Sequence, residues 1–227
     1  MRPILSIETA TTVCSVAISS GRDVLAERKL YTERSHANEL TLLIQELTKE
    51  SNITMKDFKA VAVSEGPGSY TGLRIGTSTA KGLCFALGIP LIGVSTLKAM
   101  ALEVNINHSP ESILCPMIDA RRMEVYVALY DQHLNVITEP HPSILDENSF
   151  EETLKQKEVL FFGNGSDKFK SIKKSNNALF LDSISPSAWS IGFLAEEKFL
   201  NNEFADLAYF EPSYLKEFQA TTPKPIL

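Results

Sequence analysis

Residues 4–19 read ILSIETATTVCSVAIS, and residues 113–130 read ILCPMIDARRMEVYVALY. Each is a mostly apolar run up to an acid and a turn, followed by a second mostly apolar run, which is the pattern of two buried strands joined by a turn. The two align without a gap: Ile7 with Ile118, Glu8 with Asp119, and Val16-Ala17-Ile18 with Val127-Ala128-Leu129. Farther on, GPGS at 66–69 is echoed by GNGS at 163–166. These matches predict a duplicated chain.

The elements around each hairpin extend the duplication. DVLAERKLY (23–31) reads as a third strand, and SHANELTLLIQELTKES (35–51) as a helix. Ser35 is its expected N-cap, and Leu40, Leu43, Ile44 and Leu47 recur at helical spacing. AVAVS (60–64) is a buried strand, followed by a helix from Thr71 to Leu87 that Gly88 and Pro90 stop. PLIGVS is the next strand, and TLKAMALEV opens a third helix. The second half restarts with ILCPMIDA, EVYVALY and NVITEPHPSIL as strands. SFEETLKQK follows as a helix, VLFFGNG as a strand and SAWSIGFLAEEKFLNN as a helix. This order is α/β and matches a duplicated actin-like (ASKHA) ATPase fold, two lobes each with a mixed β-sheet flanked by helices. The expected division is an N-terminal lobe, 1–105, and a C-terminal lobe, 106–227, with the boundary in NINHSPES and a flexible tail at 219–227.

Composition narrows the function. A net charge of −6 and a pI near 5.3 argue against a self-sufficient nucleic-acid binder, which needs a basic face to displace counterions. Cys14, Cys84 and Cys115 lie far apart in apolar segments and read as buried, reduced thiols. Glu8 falls where a signal peptide needs its apolar core, and GLCFALGIPLIGV is too broken for a span. The expected location is the cytoplasm, with no membrane association.

The actin-like fold holds ATP between its lobes, on hairpin turns whose glycines let backbone amides approach the phosphates. Here those turns read ETATT and DARRM, so Ala10, Ala120 and Arg121 crowd that space. The run EGPGSYTGLRIGTSTAKG (65–82) fits neither a P-loop nor G-x-G-x-x-G, and reads better as a tight turn into a helix. His36, His108, His133 and His141 show no ligand spacing, and no catalytic triad is supported. The expectation is no metal, no cofactor and no catalysis. The alternative is a stand-alone actin-like ATPase or phosphotransferase in which Glu8 and Asp119 hold Mg²⁺.

On the second helix Gly72, Gly76 and Ala80 recur every four residues, beside Leu73, Thr77 and Cys84. Such a stripe lets another helix, from the same lobe or a partner, approach closely. Glycines inside a helix cost roughly 1 kcal/mol each against alanine, so something beyond local stability favours them.

SEGPGSYTGLRIGTSTAKGL, ILSIETATTVCSVAI, IPLIGVSTL and IDARRMEVYVALY resemble the bacterial TsaB (YeaZ) family, with a looser match at EPSYLKE. The resemblance implies a non-catalytic dimerisation subunit of the machinery that places threonylcarbamoyl on the tRNA adenosine beside the anticodon (t6A). It would bind and activate the paralogous catalytic subunit TsaD, with the ATPase TsaE completing the complex. Alone it would be a homodimer, and tRNA would be reached only through the assembled complex. The catalytic relatives carry His-x-x-x-His on the third helix, where this chain has Thr96 and Met100. The stripe and the resemblance together predict a partner-binding surface on Thr71, Gly72, Leu73, Arg74, Gly76, Thr77, Ala80, Lys81 and Cys84. His36 and Leu40 of the preceding helix join it, and Thr77→Arg is expected to break the association.

Overall fold

The computed structural model describes residues 2–31, 36–108 and 111–216. The N-cap expected at Ser35 and the tail at 219–227 lie outside them. The first half runs β1 (Ile4–Glu8), β2 (Val13–Ser20), β3 (Asp23–Tyr31), α1 (His36–Ser51), β4 (Ala60–Gly66), α2 (Tyr70–Leu87), β5 (Leu91–Ser95) and α3 (Thr96–His108). The second half repeats it with β6 (Ile113–Asp119), β7 (Glu124–Tyr130), β8 (Val136–Ile144), α4 (Glu151–Gln156), β9 (Val159–Phe162), α5 (Ser166–Ile172), β10 (Ala178–Leu181) and α6 (Ala188–Leu200). α5 and β10 were not legible in the sequence; with them the strands and α-helices of the two halves match one for one, a 3-10 turn at Met55–Asp57 being extra in the first.

The sheets repeat as well. One is ordered β3-β2-β1-β4-β5 and the other β8-β7-β6-β9-β10. In each, the hairpin strands pair antiparallel while the strands after helices pair parallel. This is the duplicated actin-like plan. The two hairpins differ by one residue of register: β1 pairs Ile7 to Val16, whereas in the second half Val127 pairs with Met117 and Ile118 pairs with Tyr126.

The helices are shared across the halves. Leu5 and Ile7 of β1 meet Leu40, Ile44 and Leu47 of α1 and Ala80 and Cys84 of α2 in one core. The opposite face, Ile4 with Ala60, Ala62, Ile92 and Val94, is covered by Ile191 and Ala195 of α6, a helix from the second half. In return Leu97, Met100, Ala101 and Val104 of α3 pack on Leu114, Ile118, Ala128 and Tyr130 of the second sheet. Alternation along β1 sends successive side chains to these two cores. α6 sits so low on the first sheet that a Cβ at Gly192 would come within 3.0 Å of the Ser6 and Ser19 hydroxyls.

After α6 the chain returns to the first half. Ala205 bridges to Leu91, the Ser213 amide donates to the Glu65 carbonyl at 2.7 Å, and the rings of Tyr214 and Tyr70 lie 4.8 Å apart. This C-terminal strap runs beside α2.

Candidate functional site

α2 begins where Ser69 Oγ accepts from the Gly72 amide at 3.3 Å. It ends at Gly88, whose left-handed φ of 64° lets its N–H reach the Cys84 carbonyl. Between these caps its two faces differ.

The inward face is the expected stripe, and here the structure corrects the reading of it as a partner surface. Gly72, Leu73, Gly76, Thr77, Ala80 and Cys84 are all buried within their own lobe. A Cβ at Gly72 would lie under 3.0 Å from the Thr9 carbonyl oxygen, and one at Gly76 equally close to Thr9 Oγ1. A Cβ at Gly68 would strike the Ala10 carbonyl, which already accepts from the Ser69 amide at 2.6 Å. The glycines therefore clasp the β1–β2 turn. The second half does the same: a Cβ at Gly163 would strike the Met117 carbonyl, and Asn164 Oδ1 accepts from the Asp119 amide. His36 and Leu40 are interior too, His36 Nε2 donating to the Thr11 carbonyl at 2.7 Å. An arginine at Thr77 would thus disrupt the lobe itself, so it does not test association.

The outward face carries a second stripe that the sequence reading missed. Arg74, Ser78, Gly82 and Ala86 recur every four residues and all are exposed, with Thr71 and Phe85 beside them. Phe85 is 82% exposed. A Cβ at Gly82 would meet nothing within 4 Å. The signal was present in the spacing, since Gly82 is out of register with Gly72, Gly76 and Ala80. Of the expected site residues, Thr71 and Arg74 lie on this face. Lys81 is half-buried at its edge and donates to the Ala208 and Phe210 carbonyls of the strap, both at 3.1 Å. Those carbonyls flank Tyr209, itself 84% exposed. On α1, the side chain of Leu42 is 53% exposed.

The residues of the alternative reading are not equivalent. Glu8 is fully buried, its Oε1 accepting from the Ala10 amide at 2.5 Å. Burial pushes its carboxyl up to about 7, against the pull of the Ala10 amide, Ser64 and the Lys29 charge. Glu8 Oε2 has no hydrogen-bond partner among the described residues. Asp119 is exposed and held by Lys168 at 2.8 Å. One acid is sunk under its own turn and the other is neutralised by a lysine, which does not favour a shared Mg²⁺. Thr96 and Met100 are buried in α3, Met100 within the core that α3 makes with the second sheet. No group of three or more His, Cys, Asp or Glu side chains is placed to hold a metal among the described residues. Cys14, Cys84 and Cys115 are free and buried, and burial pushes their thiols up, Cys14 to about 12 and Cys84 to about 11. They fit inert core thiols. Among the described residues no helix is long and apolar enough to cross a membrane.

Comparison with known proteins places this geometry. Residues 29–224 match the family model described as TsaD, tRNA N6-adenosine threonylcarbamoyltransferase. The Escherichia coli tRNA threonylcarbamoyladenosine biosynthesis protein TsaB is 32% identical, over 94% of this chain and 94% of its own. The solved YeaZ from Pseudomonas aeruginosa superposes with a TM-score of 0.81 at 25% identity, covering 95% of this chain and all of that one. The activator of 2-hydroxyisocaproyl-CoA dehydratase from Clostridium difficile, solved with bound ADPNP, shares the fold alone, with a TM-score of 0.52 at 10% identity over 88% of this chain and 97% of its own. With an identity above three in ten over nearly the full length of both chains, this chain belongs to the TsaB (YeaZ) family.

Proposed function

We propose that this chain is a non-catalytic subunit of the cytoplasmic t6A machinery, binding and activating TsaD through the outward face of α2 beside α1, with TsaE completing the complex. Alone, the same face would pair two copies. The observation that supports this is Gly82. Unlike Gly72 and Gly76 it has no neighbour to make room for, yet it occupies the middle of an exposed helix face next to the bare ring of Phe85. A partner helix lying close along Ser78, Gly82 and Ala86 would account for the missing side chain and cover the ring. Burying such a ring is worth roughly 1.5–3 kcal/mol.

Gly82→Arg tests this. Arginine is a far better helix former than glycine, so the variant should melt at or above the wild-type temperature. It should nevertheless weaken both self-association and capture of TsaD at least tenfold, about 1.4 kcal/mol. A folded variant that dimerises and captures TsaD normally would contradict the assignment. The purified chain without TsaD is expected to transfer no threonylcarbamoyl, which a direct assay on tRNA would check.

A further inference from the structure

The β6–β7 turn carries a feature that the partner interface leaves unused. Arg121 and Arg122 sit at φ 71° and 46°, the one consecutive pair of non-glycine residues at positive φ among the described residues. That region suits Gly, Asn or Asp, and holding bulkier side chains there is unfavourable. Both arginines are exposed, and neither side chain has an ion-pair or hydrogen-bond partner among the described residues. The acids that could pair them are already occupied. Lys168 of α5 holds Asp119 at 2.8 Å and donates to the Glu124 carbonyl at 3.1 Å, while Lys216 of the strap is paired with Glu124. Two lysines from distant elements thus neutralise the turn's carboxylates and leave two guanidiniums free, a local excess of positive charge on a chain of net charge −6.

The strap continues this surface toward α2. Two residues before Lys216, Tyr214 stacks near Tyr70, and its hydroxyl accepts from Arg74 Nε at 3.3 Å. The Arg74 guanidinium lies 4.4 Å over the Tyr70 ring. The free guanidiniums are donors that suit the phosphate oxygens of an RNA backbone, and the arginine–tyrosine group farther along the strap offers the kind of surface on which bases stack.

The geometry points to an RNA-backbone contact on this subunit, with Arg121 and Arg122 gripping phosphates. That the RNA is the tRNA substrate rests on the t6A reading above. The site would add to whatever tRNA surface the catalytic partner supplies, and in isolation it is weak.

The test pairs Arg121→Asn with Arg122→Gly, residues that adopt positive φ at little cost, so the turn is kept and both charges go. The variant should melt no lower than wild type. tRNA is titrated into the full chain alone at low ionic strength, and into its complex with TsaD across a salt series. Wild type should bind in both settings. The variant should bind at least tenfold more weakly, with a log–log salt slope shallower by about 1.4–1.8, the loss of two phosphate contacts. Arg121→Lys with Arg122→Lys should restore the slope. Wild-type affinity and slope in the Asn-Gly variant, or no binding by wild type in either setting, would overturn the inference. Capture of TsaD, measured on the same preparations, judges the interface reading separately, because the titration of the chain alone does not depend on it.

Discussion

Replacing Glu8 with glutamine should stabilise the chain by about 3 kcal/mol at pH 8 and by only roughly 1 kcal/mol at pH 5. The carboxyl is buried, and burial raises it from 4.5 in a free side chain to about 7. Below the lower value it is protonated whether the chain is folded or not. As pH climbs between the two, the unfolded chain ionises first and gains stability that the folded one cannot match. The folded state therefore loses stability across that window, and the loss is complete above about 7. Glutamine resembles the protonated acid, keeps an oxygen for the Ala10 amide and does not ionise. Denaturant unfolding of both proteins at the two pH values measures the difference directly. Equal gaps at pH 5 and pH 8 would show that Glu8 ionises freely in the folded protein.

The same residue shows what the sequence could and could not disclose. Glu8 aligned with Asp119 and announced the duplication, because a strand-end acid and the apolar runs on either side of its turn survive as pattern. What separates the two acids is three-dimensional. α6 crosses from the second half to cover the face of β1 that carries Ile4 and, by alternation, Glu8, whereas α3 crosses to the face of β6 that carries Leu114 and Ile118 and leaves Asp119 on the other. Nothing in the periodicity of either helix says which sheet it will cover, since both sheets offer an apolar face. The missed elements fail for another reason. SDKFKSI is seven residues with only two apolar positions, and ALFL is a four-residue edge strand, both too short for a period to emerge. Helical spacing did identify a stripe of small residues on α2. It specifies a face and leaves open what that face meets, which here is the β1–β2 turn. The outward stripe has the same spacing with a single glycine, so composition does not distinguish it from an ordinary solvated helix face.

Gly72→Ala and Gly82→Ala should therefore move stability in opposite directions although they lie on one helix. In a free helix either change gains about 1 kcal/mol. At Gly82 the new methyl enters open space, so the gain should appear in full as a raised unfolding midpoint. At Gly72 the methyl would press on the Thr9 carbonyl oxygen, which is backbone and part of the turn that follows β1. A flexible side chain could swing aside; this oxygen moves only if the turn or the whole of α2 shifts, carrying Leu73, Gly76 and Thr77 off their contacts. Overpacking of this kind costs about 1–3 kcal/mol, and a clash with fixed backbone belongs at the upper end. Net of the helix gain, Gly72→Ala should lose about 2 kcal/mol. The two variants would then differ by about 3 kcal/mol in unfolding free energy, read from paired denaturant curves. If both alanines stabilise alike, α2 does not clasp the turn as described, and the inward stripe is again available to a partner.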